Sequence, residues 1–190
     1  MLELNFKPFP VLETDRLILR QITQAYVNEM FVFRSDEKLM QYVDRPRAKN
    51  IQDAAEHIQK VTESENSNDG IAWGITLKPS DKLIGFIGFW RMEKENYRSE
   101  IGYMLHYDFQ RKGIMQEAIS KVVDYGFKEL KFHSINANVN TSNEASIKLL
   151  EKNNFVREAL FKEDYFFDGK FLDSAIYCIL TPYPELLTFK

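Results

Sequence analysis

The sequence predicts an α+β protein built on one mixed, mostly antiparallel sheet. Three features carry that reading. Runs of β-branched and aromatic residues alternate with turn residues from Ile71 to Leu105. A stripe of apolar residues at helical spacing then runs from Gly113 to Leu130. Near the end, two strand-like runs flank Asp168-Gly169, a dipeptide suited to the positive φ angles of a tight hairpin.

In chain order, Arg16-Leu17-Ile18-Leu19-Arg20 is a short apolar run between charges and reads as a first strand. Helices are expected near Gln24–Phe33 and Ile51–Glu63. The second has Asn50 as its N-cap and Asp53 in its first turn, where the helix dipole favours negative charge. A polar loop, Ser64–Gly70, leads to strands Ile71–Leu77, Leu83–Met92 and Arg98–Leu105, with a turn at Lys78-Pro79-Ser80-Asp81-Lys82. Within 113–130, Met115, Ala118, Ile119, Val122 and Gly126 follow i, i+3, i+4 spacing, and Ile114, Val123, Phe127 and Leu130 widen the stripe to a buried face. Ser134–Val139 returns to strand. Thr141-Ser142-Asn143-Glu144 has the form of a capping box, with Thr141 as the cap of a helix running to about Asn153. Phe155–Phe167 and Phe171–Leu180 make the terminal hairpin.

Composition narrows the function. A length of 190 residues suits one domain, 1–190, with one full core. With 25 basic and 28 acidic residues the formal charge is −3, whereas a protein that chiefly grips nucleic acid is basic, so no direct nucleic-acid partner is expected. Cys178 stands alone and His57, His106 and His133 are dispersed, so neither a disulfide nor a metal centre is expected. Met1-Leu2-Glu3-Leu4-Asn5 lacks the form of a secretory signal, and the longest apolar run, Leu83–Trp90, falls short of the roughly 20 residues of a membrane helix. A cytoplasmic protein with no membrane partner is the expectation.

The informative junction is Met104–Ala118, where a strand ends, a basic loop with one glycine follows, and the periodic helix begins. The first N–H groups of a helix have no intrahelical partners and lie at the positive end of its dipole, so they bind anions. Arg111 and Lys112 add positive charge, and Gly113 lets backbone approach a phosphate. The segment is neither a P-loop nor a dinucleotide fingerprint. On these residues alone, a plain turn with solvated cations is an equal reading.

The segment Gln110-Arg111-Lys112-Gly113-Ile114-Met115 resembles the coenzyme A pyrophosphate loop of the GNAT acetyltransferases, Gln/Arg-x-x-Gly-x-Gly/Ala, with Met115 departing from the final small residue. Six further segments resemble the RimJ and RimL ribosomal-protein branch in the same order. They are Leu12–Leu17, Ile84–Gly88, Glu100–Tyr103, Asn143–Ser146, Leu150–Glu158 and Asp168–Asp173. The resemblance implies a mixed, mostly antiparallel sheet of about seven strands flanked by about four helices. It implies acetyl-CoA as cofactor and direct transfer of acetyl to a primary amine, with Leu105, Gln110, Arg111, Lys112, Gly113, Ile114, Met115, Asn138 and Asn143 against the cofactor.

Direct transfer needs a base for the amine proton and help for the departing thiolate. Glu100, at the head of the strand that ends in the loop, is the candidate base; its competing reading is a solvated glutamate among Lys94, Glu95 and Arg98. Many GNAT enzymes carry a tyrosine where this chain has Leu150, so Ser146, one turn earlier, is the candidate hydroxyl, and Leu150→Tyr is expected to rescue part of the turnover lost in Ser146→Ala. Helix packing or back-bonding is the other reading for Ser146. Because Thr141 is expected to fill the cap, Asn143 is expected to be free for the cofactor. His106 and Cys178 read as packing residues.

The resemblance to the RimJ and RimL branch implies a protein N-terminal amine as acceptor, of the ribosomal-protein type. A polyamine, amino acid or aminoglycoside is the alternative, and a non-catalytic acyl-CoA-binding module the third reading. Either a monomer or a homodimer is compatible with the sequence.

Overall fold

The computed structural model describes residues 1–187. A two-residue bridge, β1 (Leu12–Glu13), precedes β2 (Leu17–Gln21), then three helices, α1 (Val27–Ser35), α2 (Glu37–Met40) and α3 (Ile51–Asn66). The meander follows as β3 (Ile71–Leu77), β4 (Leu83–Glu93) and β5 (Arg98–Leu105). Then come α4 (Ile114–Lys128), β6 (Ser134–Asn140), α5 (Glu144–Lys152) and the hairpin β7 (Val156–Phe167) and β8 (Lys170–Leu180). One sheet holds all eight strands in the order β1-β2-β3-β4-β5-β6-β8-β7. Every neighbouring pair is antiparallel except β5 with β6.

The sheet is covered on both faces. Ile101 and Leu105 of β5 and Ile135, Ala137 and Val139 of β6 pack with α4 and Leu150 of α5. All nine positions expected on the apolar stripe are buried, Leu130 lying two residues past the end of α4. On the other face, Met30 and Phe33 of α1 and Ala54, Ile58 and Val61 of α3 pack on Ala72 and Leu83, with Phe86, Trp90 and Met104 beside them. Strand residues alternate between these two layers, which is why β3 and β4 read as nearly continuous apolar runs.

Several details depart from the sequence reading. Among the described residues eight strands replace seven, because β1 is too short to show a period. A fifth helix, α2, is a single turn held by Asp36, whose Oδ1 accepts from Leu39 N–H at 2.9 Å. Gln24–Tyr26 is a 3₁₀ turn, so α1 starts later than expected. The cap of α5 is Asn143, whose Oδ1 accepts from Ser146 N–H at 3.1 Å, and Thr141 lies outside the helix. Asn50 caps α3 as expected, and Asp168 and Gly169 both take positive φ, 47° and 76°, in the two-residue hairpin turn.

Candidate active site

β5 and β6 pair over only three positions, Arg98↔Ser134, Ser99↔Ile135 and Glu100↔Asn136. Beyond Glu100 and Asn136 both strands continue without pairing to each other, β5 to Leu105 and β6 to Asn140. The sheet therefore opens into a wedge whose apex is Glu100 and whose wide end lies at the carboxyl ends of two parallel strands. Open α/β sheets bind ligands in such crevices. The His106 N–H bonds back to Ile84 O on β4 at 2.9 Å. Strand alternation then turns the N–H and C=O of Leu105 and Tyr103 toward the wedge. Gln110 Nε2 already donates to Leu105 O at 2.9 Å, so Leu105 offers its N–H and Gln110 braces the strand end.

At the wide end the chain bends sharply before α4. Arg111 has φ 59° and Gly113 φ 73°, and Gly113 is the N-cap with no side chain to bond the first turn. The first intrahelical bond here is Glu117 N–H to Gly113 O, which leaves the N–H groups of 113–116 without helical acceptors. Left-handed residues beside a helix start form a concave nest of N–H groups suited to phosphate oxygens. Gln110, Arg111, Lys112, Gly113, Ile114 and Met115 thus lie together, although the Ile114 and Met115 side chains are buried and only their backbone faces outward.

This nest is held from the far end of the chain. Arg16 Nη1 donates to Lys112 O at 3.0 Å, and the Arg16 guanidinium pairs with Glu117. Glu117 also accepts from Thr14 Oγ1 and from Arg16 N–H at 3.2 Å. Partial burial opposes ionisation of Glu117, but the Thr14 and Arg16 hydrogen bonds outweigh it and hold the carboxyl below its ordinary range. Thr14-Asp15-Arg16 therefore clamps the loop, a role no local pattern indicated because Glu117 is about a hundred residues away.

Across the wedge, Glu100 and Tyr103 lie on opposite faces of β5. Glu100 is in register with Trp90 and Asn136, and its Oε2 accepts from Arg91 Nη1 at 2.8 Å. Arg91, which the sequence reading missed, replaces the expected neighbours as its partner. Asn136, Asn138 and Asn140 follow on the Glu100 face of β6; the Asn138 side chain is exposed. On the other face, the Tyr103 hydroxyl lies 2.9 Å from Ser146 Oγ, bridging β5 to α5 over the opening. Burial, countered in part by Ser146, pushes the Tyr103 phenol up to about 12.

A sequence profile described as the Acetyltransferase (GNAT) domain matches residues 16–156. The chain belongs to the GNAT acetyltransferases. The Bacillus subtilis N-acetyltransferase YoaA is 38% identical over 174 residues, covering 92% of this chain and 98% of YoaA. The ribosomal protein uS5 alanine N-acetyltransferase of Escherichia coli is 24% identical over 123 residues, 64% of this chain and 63% of that protein. Among solved structures, RimL, the ribosomal L7/L12 alpha-N-protein acetyltransferase in complex with coenzyme A, superposes with TM-score 0.83. It covers 90% of this chain and 98% of that one at 20% identity, a likeness of fold. GNAT enzymes take their acetyl group from acetyl-CoA, and this chain is a GNAT N-acetyltransferase.

The GNAT reading of individual residues needs two corrections. Asn143 spends its side-chain carbonyl on the α5 cap, leaving its NH₂ group for a ligand. Leu150 is 0% exposed within the core, so a tyrosine there would overpack the core and bury a hydroxyl instead of replacing Ser146. His106 packs against Tyr107 and Phe33 with ring centroids at 4.1 and 6.4 Å. Burial, with Glu158 nearby, raises the Cys178 thiol to about 11, which removes it as a nucleophile at neutral pH.

Beside Asn140 this GNAT fold has a cavity of about 280 Å³ between the segment 40–44 and the end of the β7–β8 hairpin, with Asp44, Asn140, Ser142, Phe167 and Lys170 in its lining. Tyr165 O–H donates to Asp44 Oδ2, and Asn140 Nδ2 donates to Tyr165 Oη at 3.2 Å. Burial and the Asp44 carboxylate raise the Tyr165 phenol far above its ordinary value, so it stays a donor. Sequence reasoning missed this trio, since its members come from three distant segments.

Proposed function

We propose that this N-acetyltransferase acetylates the N-terminal amine of a protein or peptide by direct transfer. The observation that carries the reading is the wedge, with a carboxylate on one side, a hydroxyl pair on the other and a phosphate nest at its wide end. Acetyl-CoA supplies the acetyl group as a thioester. The N–H groups of 113–116, with Arg111 and Lys112, hold its pyrophosphate, while the Leu105 N–H and the Asn143 NH₂ group hold the arm that enters between the strands. Glu100 takes the proton of the incoming amine, directly or through water, and Ser146 supports the departing thiolate.

The cavity beside Asn140 favours a peptide end over a polycation. About 280 Å³ admits one or two residues, and the rest of a protein would remain outside. Lys170 offsets one of the two carboxylates in the lining, Asp44 and Asp168, which leaves a single negative charge suited to one ammonium group better than to a polycation. The test is a thiol-release assay with acetyl-CoA against N-terminal peptides, spermidine, amino acids and an aminoglycoside. The reading expects kcat/KM for the best peptide to exceed that for spermidine by at least about tenfold. Preference for the small amines would contradict it.

A further inference from the structure

The contact between Tyr103 and Ser146 does more than bridge two elements. Two hydroxyls 2.9 Å apart hold one proton between them and leave the other free to point elsewhere. The separation alone allows either hydroxyl to donate; a phenol is the better donor and an alcohol the better acceptor, which favours donation from Tyr103 to Ser146. The carbonyl one turn back, that of the N-cap Asn143, already accepts from Ile147 N–H at 3.0 Å. Its own N–H is engaged by Asn143. What remains is the Ser146 O–H, directed away from Tyr103. A hydroxyl that accepts a hydrogen bond becomes a better donor.

We propose that Tyr103 is a positioning residue for thiolate departure, donating to Ser146 Oγ and so aiming the Ser146 O–H at the sulfur of the acetyl donor. This rests on the reading of Ser146 given above. As the N–C bond forms and the C–S bond breaks, the C–S electron pair stays on sulfur and the amine proton leaves to Glu100 or water. Tyr103 gives up no proton, since a phenol raised to about 12 is a weaker acid than the thiol it would protonate. It keeps its donor proton across the working pH range, so the orientation of Ser146 does not change with pH. The arrangement supplies on a strand and a helix start what the buried Leu150 does not.

The test uses bound coenzyme A, whose thiol is titrated by ultraviolet absorbance in the parent, Tyr103→Phe, Ser146→Ala and the double variant. A thiolate held by Ser146 has a depressed pKa. Ser146→Ala is expected to raise it by about one unit, a tenfold loss of thiolate stabilisation, and Tyr103→Phe by about half a unit or more. The double variant is expected to match Ser146→Ala, because Tyr103 acts only through Ser146. Turnover should fall in the same order with KM for acetyl-CoA within about twofold. A Tyr103→Phe thiol that titrates as in the parent, while Ser146→Ala is shifted, overturns the role of Tyr103 alone. A parental titration in Ser146→Ala overturns the reading of Ser146 as well.

Discussion

Gly113 is the position where the cofactor assignment is most exposed to test. Its φ of 73° is strained for any residue with a Cβ, which costs roughly 1–2 kcal/mol. A Cβ there would meet only Arg16 Nη2 at 3.5 Å, an ordinary contact, so Gly113→Ala pays for conformation and little else. Gly113→Asp adds a charge beside the nest. With about 5 Å between that carboxylate and the nearest phosphate charge, and an effective dielectric of about 20, the repulsion is about 3 kcal/mol, or about 10² in affinity. The same carboxylate at the start of α4 gains roughly 0.3–1 kcal/mol from the helix dipole, offsetting part of the strain and keeping the fold. Calorimetry with acetyl-CoA should therefore show less than about tenfold weakening for Gly113→Ala and about a hundredfold or more for Gly113→Asp, the gap narrowing as salt is added. Parental affinity in both variants would refute the reasoning.

Glu100→Gln should lower kcat by roughly 10²–10⁴-fold with coenzyme A affinity unchanged within about twofold. A loss of only a few-fold with the parental pH profile would leave Glu100 as the ion-pair partner of Arg91. Asp44→Asn should raise KM for the peptide acceptor by about tenfold and leave KM for acetyl-CoA alone; an unchanged acceptor KM removes the Asp44–Tyr165 pair from acceptor binding. Burial, then repulsion from Arg34, Arg45 and Lys60, lowers His57 from 6.5 to about 4. Between those values the unfolded chain binds a proton that the folded chain refuses, so stability falls as pH drops through the window, by up to about 3 kcal/mol. Urea titrations of His57→Gln should show a flatter dependence there, and a parental slope would contradict the assignment.

Most of the sheet and all of α4 were legible in the sequence because periodicity is a local signal. The α4 stripe is buried at every expected position, and Arg98–Leu105 forms a strand with the expected bounds. The loop proposed to hold phosphate was legible as a junction because a strand end, a glycine and a helix start are contiguous. What escaped depends on distance along the chain. The Arg16–Glu117 clamp and the Asp44–Tyr165–Asn140 trio are made by segments that only the fold brings together, whereas the Arg91–Glu100 pair, within one hairpin, escaped because the register shift between Trp90 and Glu93 sets which side chains meet. Tyr103 escaped for a different reason, since in a strand a tyrosine reads as packing until its hydroxyl is seen to meet Ser146. The α5 cap was misread because Thr141 and Asn143 both suit an N-cap, and the helix start alone decides between them.

The crystal structure of the acetyl-CoA complex tests the account most directly. It should show the pyrophosphate on the N–H groups of 113–116, the cofactor arm between β5 and β6, and the sulfur within about 3.5 Å of Ser146 Oγ. A cofactor bound with the N–H groups of 113–116 unengaged, and with β5 and β6 left without a ligand between them, would contradict it.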